Sequence, residues 1–139
     1  NVYVAQIAIG ADNNQALKAI LEAEAYPGPA LIIGYAPCIN HGIKGGMQKS
    51  VNQQKNAVVS GYWHLFRHNP LRIQQGLNPF ILDSKEPDGN LEHFLMSEIR
   101  FSSLYRKSPD LARQLFNDVK LESMEQYQKY SQMSGRSED

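Results

Sequence analysis

The sequence predicts an α/β fold: a mostly parallel sheet flanked by helices, followed by a carboxyl-terminal helical extension. Three observations predict it. Two nearly continuous apolar runs of strand length, residues 2–9 and 30–33, lie on either side of a segment with helical periodicity, and continuous runs mark strands buried on both faces. Strand, helix and strand in such close succession form a right-handed βαβ unit and hence a parallel pair. Beyond Pro87-Asp88-Gly89 the strand-like runs stop and helical stripes take over.

Each element has its own signals. The first strand ends at Gly10, and Asp12 with Gln15 three residues later has the form of a capping box. Ala16, Leu17, Ile20, Leu21 and Ala25 then recur at helical spacing and predict an inward-facing stripe. The Pro27-Gly28-Pro29 break leads into the second buried strand, and Pro37 stops its pairing because proline cannot donate to a ladder. Cys38 therefore falls at a strand's carboxyl end. Residues 40–46 carry three glycines, the mark of a loop with unusual backbone angles. Ser50 and Gln53 are spaced to cap a second helix reaching about Ser60, with Val51, Ala57, Val58 and Val59 inward and Gly61 as its stop.

Residues 62–68 alternate as a strand does, and Asn78-Pro79 introduces a short edge strand at 80–82. Leu91, Phe94, Leu95 and Ile99 form one helical stripe. Ser108 and Pro109 open a further helix as cap and first-turn residue, with Leu111, Ala112, Leu115, Phe116 and Val119 inward. Its continuation over 124–130 is mostly polar, and 131–139 is expected to fray.

Composition excludes several classes of function. The 139 residues suffice for one core, and 14 basic against 14 acidic residues cancel. A neutral chain has no electrostatic footprint for nucleic acid and no polybasic membrane patch. No apolar run approaches the roughly 20 residues that span a bilayer, and the first residues lack the layout of a secretion signal, so a cytoplasmic protein is expected. The lone cysteine rules out an internal disulfide. The chain opens on Asn1 and enters a strand at once, which reads as a carboxyl-terminal piece of something longer.

Cys38 is the leading candidate for chemistry. Ligands of open α/β sheets collect at the carboxyl edge, and a thiolate delivered there suits a metal or an iron–sulfur cluster. A cluster takes about four thiolates, so the others would come from outside this chain. The competing reading is a small buried hydrophobe. Residues 42–50, GIKGGMQKS, resemble a phosphate loop only superficially, because Ile43 and Gln48 stand where a Walker A motif requires glycine. A flexible basic loop exposing Lys44 and Lys49 remains the alternative. His64 and His68 on one strand face lie about 13 Å apart, too far to share an ion. His41 follows Cys38 by three residues, but Cys-x-x-His lacks the two further ligands of a zinc site. With no nucleophile elbow and no dinucleotide fingerprint, the chain carries no self-sufficient active site.

Several stretches in order, PGPALIIGYAPCINHG (27–42), GYW (61–63), NPFILDSKEPDG (78–89) and FLMSEIR (94–100), together resemble the carboxyl-terminal region of pyruvate:ferredoxin (flavodoxin) oxidoreductases. The resemblance runs from Val2 to about Val119. It implies that 1–104 form the carboxyl-terminal half of a thiamine-diphosphate-binding α/β domain, with 105–139 a helical extension and tail. It also implies a homodimeric enzyme that oxidatively decarboxylates pyruvate with coenzyme A, giving acetyl-CoA and carbon dioxide and passing electrons through [4Fe-4S] clusters to ferredoxin or flavodoxin. Cys38 of Ala-Pro-Cys-Ile-Asn matches a ligand of the cluster nearest the thiamine. The segment that holds thiamine diphosphate and Mg2+ in this family would lie before Asn1. Members of the family often carry proline where His64 stands and glycine where Gln48 stands, which argues against a shared metal or phosphate role at either position. The alternative from another class is a non-catalytic α/β interaction or assembly module with an inert, buried cysteine.

Overall fold

The structure, a computed structural model, describes residues 1–135. Its strands are β1 (Tyr3–Ile7), β2 (Ala30–Gly34), β3 (Phe66–His68) and β4 (Phe80–Leu82). Its helices are α1 (Asn13–Ala25), α2 (Ser50–Val59), α3 (Leu91–Ser97), α4 (Ile99–Lys107) and α5 (Pro109–Met133). The fold is α/β as predicted, with strand order β2-β1-β3-β4. The expected mostly parallel sheet needs correction. β1 and β2 are parallel, with Tyr3 opposite Ala30, but β3 runs antiparallel to both β1 and β4. The chain between β3 and β4 is a short 3-10 helix, Pro70–Gln75, with brief flanks, too little for the crossover a parallel neighbour requires.

One face of the sheet packs Tyr3, Ala5 and Ile7 against Ala16 and Ala19 of α1. Asp12 caps that helix, its Oδ1 accepting from the Gln15 amide at 2.9 Å. The predicted reciprocal half of the capping box is absent, because the Gln15 side chain donates to the Gln6 carbonyl and to Asp83 instead. The predicted inward stripe is also reversed in part: Leu17 is 57% exposed, and Ile20 and Leu21 also face outward. Small alanines let the helix approach the sheet closely, while Gln15 and Glu22 turn toward a polar network centred on Arg67. The larger apolar residues are left on the outer flank.

β2, expected to be buried, is an edge strand with Leu31 50% exposed and Ile33 also open. It carries no lysine, no bulge and no proline within Ala30–Gly34, the devices that normally protect an edge. In dilute solution this chain on its own is expected to self-associate along β2, and Leu31→Lys or Ile33→Lys should restore a monomer by sedimentation velocity. A monomeric unmodified chain would contradict this.

The other face packs Phe66, Phe80 and Leu82 against Tyr127 and Tyr130 of α5. The segment expected to be mostly polar therefore carries two of the rings that close the sheet. The tail expected to fray from Ser131 instead continues helical to Met133, whose carbonyl accepts from Asn78 Nδ2 at 2.8 Å; residues 136–139 lie outside the described residues. Pro109 opens α5 as predicted, though Ser108 makes no side-chain cap, and Leu111 and Leu115 are exposed while Ala112 and Phe116 are buried. Ala57, Leu91, Phe94, Leu95 and Phe116 form a further core among α2, α3 and α5. In α2, Ser50 is the first helical residue and makes no cap; Val51 and Val59 face solvent, and Gln53 and Ala57 face in. The strand expected over 62–68 is confined to Phe66–His68.

His64 is 4% exposed, lies between the rings of Tyr127 and Tyr130, and has no hydrogen-bond partner at Nδ1. Burial pulls its pKa down. A folded-state pKa below the unfolded value of about 6.5 means that the neutral ring contributes fully above that pH, and that stability is lost as pH falls below it. Hydrogen-exchange protection of α5 is expected to weaken between about pH 7.5 and about pH 5, and His64→Phe should flatten that dependence. Equal slopes in both proteins would refute the assignment.

Candidate functional site

The carboxyl ends of β1 and β2 hold the loop that carries Cys38. The Ile7 carbonyl accepts both the Tyr35 amide and Trp63 Nε1, each at 3.0 Å, which fixes the start of the loop on the end of β1. Cys38 follows Gly34 by four residues, so the thiol stands just beyond the parallel strands' carboxyl edge. A turn then closes on it, with the Gly42 amide donating to the Cys38 carbonyl at 2.9 Å. Gly42 has φ +80°, a conformation that glycine adopts without strain.

The sulfur is well supported. His41 Nδ1 lies 3.2 Å from Cys38 Sγ. The His41 amide, then its imidazole, then the Asn40 amide draw the thiol down from its ordinary value to about 7. A thiolate is the form that binds metals. Cys38 is half-buried, not sealed in hydrocarbon, and Ile39 beside it is exposed. The sulfur is thus not packed as a fully buried hydrophobe.

The far end of the loop is tied to the break between α3 and α4. Ile43 pairs antiparallel with Glu98, the Lys44 amide donates to the Ser97 carbonyl at 2.9 Å, and the Ile99 amide donates to the Gly42 carbonyl at 3.2 Å. The break divides the single stripe expected from Leu91 to Ile99 into two helices. The Glu98 carboxylate accepts from the Tyr35 hydroxyl and from Arg100 Nε, each at 2.6 Å. Burial, then the bond to Glu98, pushes the Tyr35 hydroxyl pKa up, so Tyr35 stays a donor. Tyr35 also rests on Tyr62 and Trp63, with ring centroids 6.2 and 5.5 Å away.

Other candidates stay separate. Gln48 Nε2 donates to the Gly45 carbonyl at 2.8 Å, closing the glycine-rich turn on itself instead of cradling a phosphate, and Lys44 and Lys49 are exposed. His64 is packed among tyrosines, away from solvent, while His68 pairs opposite Val4 and Phe80 in the sheet. Among the described residues no group of three or more His, Cys, Asp or Glu side chains is arranged to hold an ion. Glu98 carries no role in the sequence pattern, and Gln53, expected to cap α2, instead donates to Ser97 and Glu98. The available signal for Glu98 is a carboxylate set inside an apolar helical stripe and followed two residues later by arginine.

Cys38 fits the role of a single soft ligand: it is accessible, and donors face its sulfur. It does not form a complete site. The fold and this loop define an α/β segment that presents one half-buried cysteine beyond its parallel strands. No protein-family model matches the chain. It is 49% identical over 135 residues to the pyruvate-flavodoxin oxidoreductase of Klebsiella pneumoniae, a match covering 97% of this chain and 12% of that protein. It is 50% identical over 134 residues to the pyruvate:ferredoxin oxidoreductase of Moorella thermoacetica, covering 94% of this chain and 11% of that protein. It is 46% identical over 109 residues to the mitochondrial pyruvate dehydrogenase [NADP(+)] of Euglena gracilis, covering 78% of this chain and 6% of that protein. The chain is homologous over nearly its whole length to one segment of the pyruvate-flavodoxin and pyruvate:ferredoxin oxidoreductases. It spans about an eighth of the length of the first of these relatives. Among the described residues no helix is long and apolar enough to cross a membrane.

Proposed function

We propose that this chain is one segment of a pyruvate:ferredoxin (flavodoxin) oxidoreductase and that Cys38 ligates one iron of a [4Fe-4S] cluster. The observation that carries the reading is the half-buried sulfur at the end of the parallel strands, with His41 Nδ1 3.2 Å from it. The names of the relatives supply the substrate and acceptor class. In this reading the whole enzyme oxidises pyruvate with coenzyme A to acetyl-CoA and carbon dioxide. Thiamine diphosphate, Mg2+ and the other cluster thiolates are held by residues outside this segment. A bound cluster supplies one-electron redox capacity, its potential tuned by hydrogen bonds to sulfur and by burial.

The chain's own residues do three things in this scheme. Cys38 offers the thiolate, the Asn40 and His41 amides with the His41 imidazole hold its charge, and the Tyr35 and Glu98 anchors hold the loop. We assign 1–104 to the carboxyl-terminal half of a thiamine-diphosphate-binding domain and 105–139 to a helical extension, within a cytoplasmic homodimer. The acceptor is ferredoxin or flavodoxin, and the segment alone is inactive. Anaerobic purification of the full-length polypeptide tests the reading: a brown protein whose visible absorbance bleaches on reduction is expected, and a colourless one would leave an assembly module as the answer.

A further inference from the structure

Both ends of the Cys38 loop converge on one buried carboxylate. Glu98 is 1% exposed and occupies the helix break with extended backbone, φ −91° and ψ 131°. Its main chain bridges to Ile43, after the cysteine, and its side chain accepts from Tyr35, before the cysteine, at 2.6 Å. Arg100 Nε at 2.6 Å and Gln53 Nε2 at 3.4 Å complete the set of donors to it, and Gln53 Nε2 also donates to Ser97 Oγ at 2.8 Å. Burying a carboxylate is costly even when it is paired, and an apolar side chain of similar size often stabilises a core more. A charge retained here therefore points to a demand for one defined geometry, the best-attested use of such groups.

We propose that Glu98 is a positioning residue for the Cys38 loop: through Tyr35 on one side and Ile43 on the other, it sets where the thiolate stands relative to the group it ligates. This rests on the reading of Cys38 as a cluster ligand. Glu98 touches neither the sulfur nor any substrate. Its effect reaches the metal through loop placement, in the way that outer groups orient a ligand. Gln53 carries the same constraint to α2, whose Gln54 Oε1 accepts the Gly10 amide at 2.9 Å at the end of β1. The two parallel strands and the helix break are thereby joined beneath the loop.

The test uses the full-length polypeptide, purified anaerobically, with Glu98→Ala, Glu98→Gln, Tyr35→Phe and Cys38→Ala. Glu98→Ala is expected to speed amide exchange across residues 39–46 by about tenfold or more while β1 and α1 keep their protection, and to shift the midpoint potential of one cluster while the others stay put. Glu98→Gln retains the size and an acceptor for Tyr35, so it should recover most of the loop protection. Tyr35→Phe removes one anchor at nearly constant volume and serves where Glu98→Ala does not fold. Unchanged loop exchange in both Glu98→Ala and Tyr35→Phe would overturn the proposal, as would a loosened loop with an unmoved potential in a protein where Cys38→Ala deletes a cluster. If Cys38→Ala deletes no cluster, the ligand reading falls by itself and the exchange of 39–46 alone decides whether Glu98 positions the loop.

Discussion

Cys38→Ala in the full-length polypeptide is expected to remove one cluster, lowering iron by about four atoms per chain on the four-thiolate stoichiometry. A thiol drawn down to about 7 is substantially ionised near neutral pH without any metal, so the loop is prepared for a cation before one arrives. Alanine removes the ligand and leaves the Gly42-to-Cys38 backbone turn and the Tyr35 and Ile43 anchors in place. On the proposed reading, pyruvate binding should survive while electron delivery to the acceptor slows. His41→Ala separates ligation from tuning: it keeps the sulfur and removes the imidazole 3.2 Å from it, so iron content should hold while the potential shifts, since groups around the sulfur tune it. Iron analysis and redox titration followed by electron paramagnetic resonance read both variants. An undiminished iron content in Cys38→Ala would end the ligand assignment, whatever the activity.

The parts of this architecture legible in sequence are those governed by local rules. The Asp12 cap, the glycine turns, Pro109 at the start of α5 and the brief strand after Asn78-Pro79 depend on neighbours within a few residues, and each appears in the structure. What failed depends on partners distant in the chain. Apolar periodicity says that Leu17, Ile20 and Leu21 share a face, but not that Arg67, some 50 residues on, claims the opposite side of the helix through Glu22. Periodicity equally cannot distinguish a strand buried on both faces from an edge strand, which is what β2 is. The site followed the same division. Cys38 was visible because Pro37 and the glycines mark the end of a strand, whereas Glu98 was hidden because its role exists only once Tyr35 and Ile43 are folded against it.

Arg67→Ala is expected to cost about 3–5 kcal/mol, the usual penalty for breaking a buried ion pair from one side. Arg67 is 5% exposed in β3 and grips Asp83 in two-pronged fashion, Nε to Oδ2 at 2.9 Å and Nη2 to Oδ1 at 2.8 Å, while Nη1 reaches Glu22 Oε1 at 2.6 Å. Tyr3 donates to the other Glu22 oxygen at 3.0 Å, and Gln15 donates to Asp83 at 3.0 Å. One guanidinium therefore joins α1, β1, β3 and the segment after β4. Removing it leaves two largely buried carboxylates with no cationic partner, held only by the neutral donors Tyr3 and Gln15. Lysine retains the charge but cannot present a fork to Asp83 and a third donor to Glu22 together, so Arg67→Lys should lie between alanine and the native residue. In the full-length polypeptide the loss should appear as a fall of more than about a hundredfold in exchange protection across β1 and β3. A double replacement, Arg67→Ala with Asp83→Ala, should cost less than the two single changes summed, because each removes a group the other leaves unpaired. Strict additivity would mean that the fork holds the chain's geometry without energetic coupling between its members, and the role assigned to Arg67 would then be wrong.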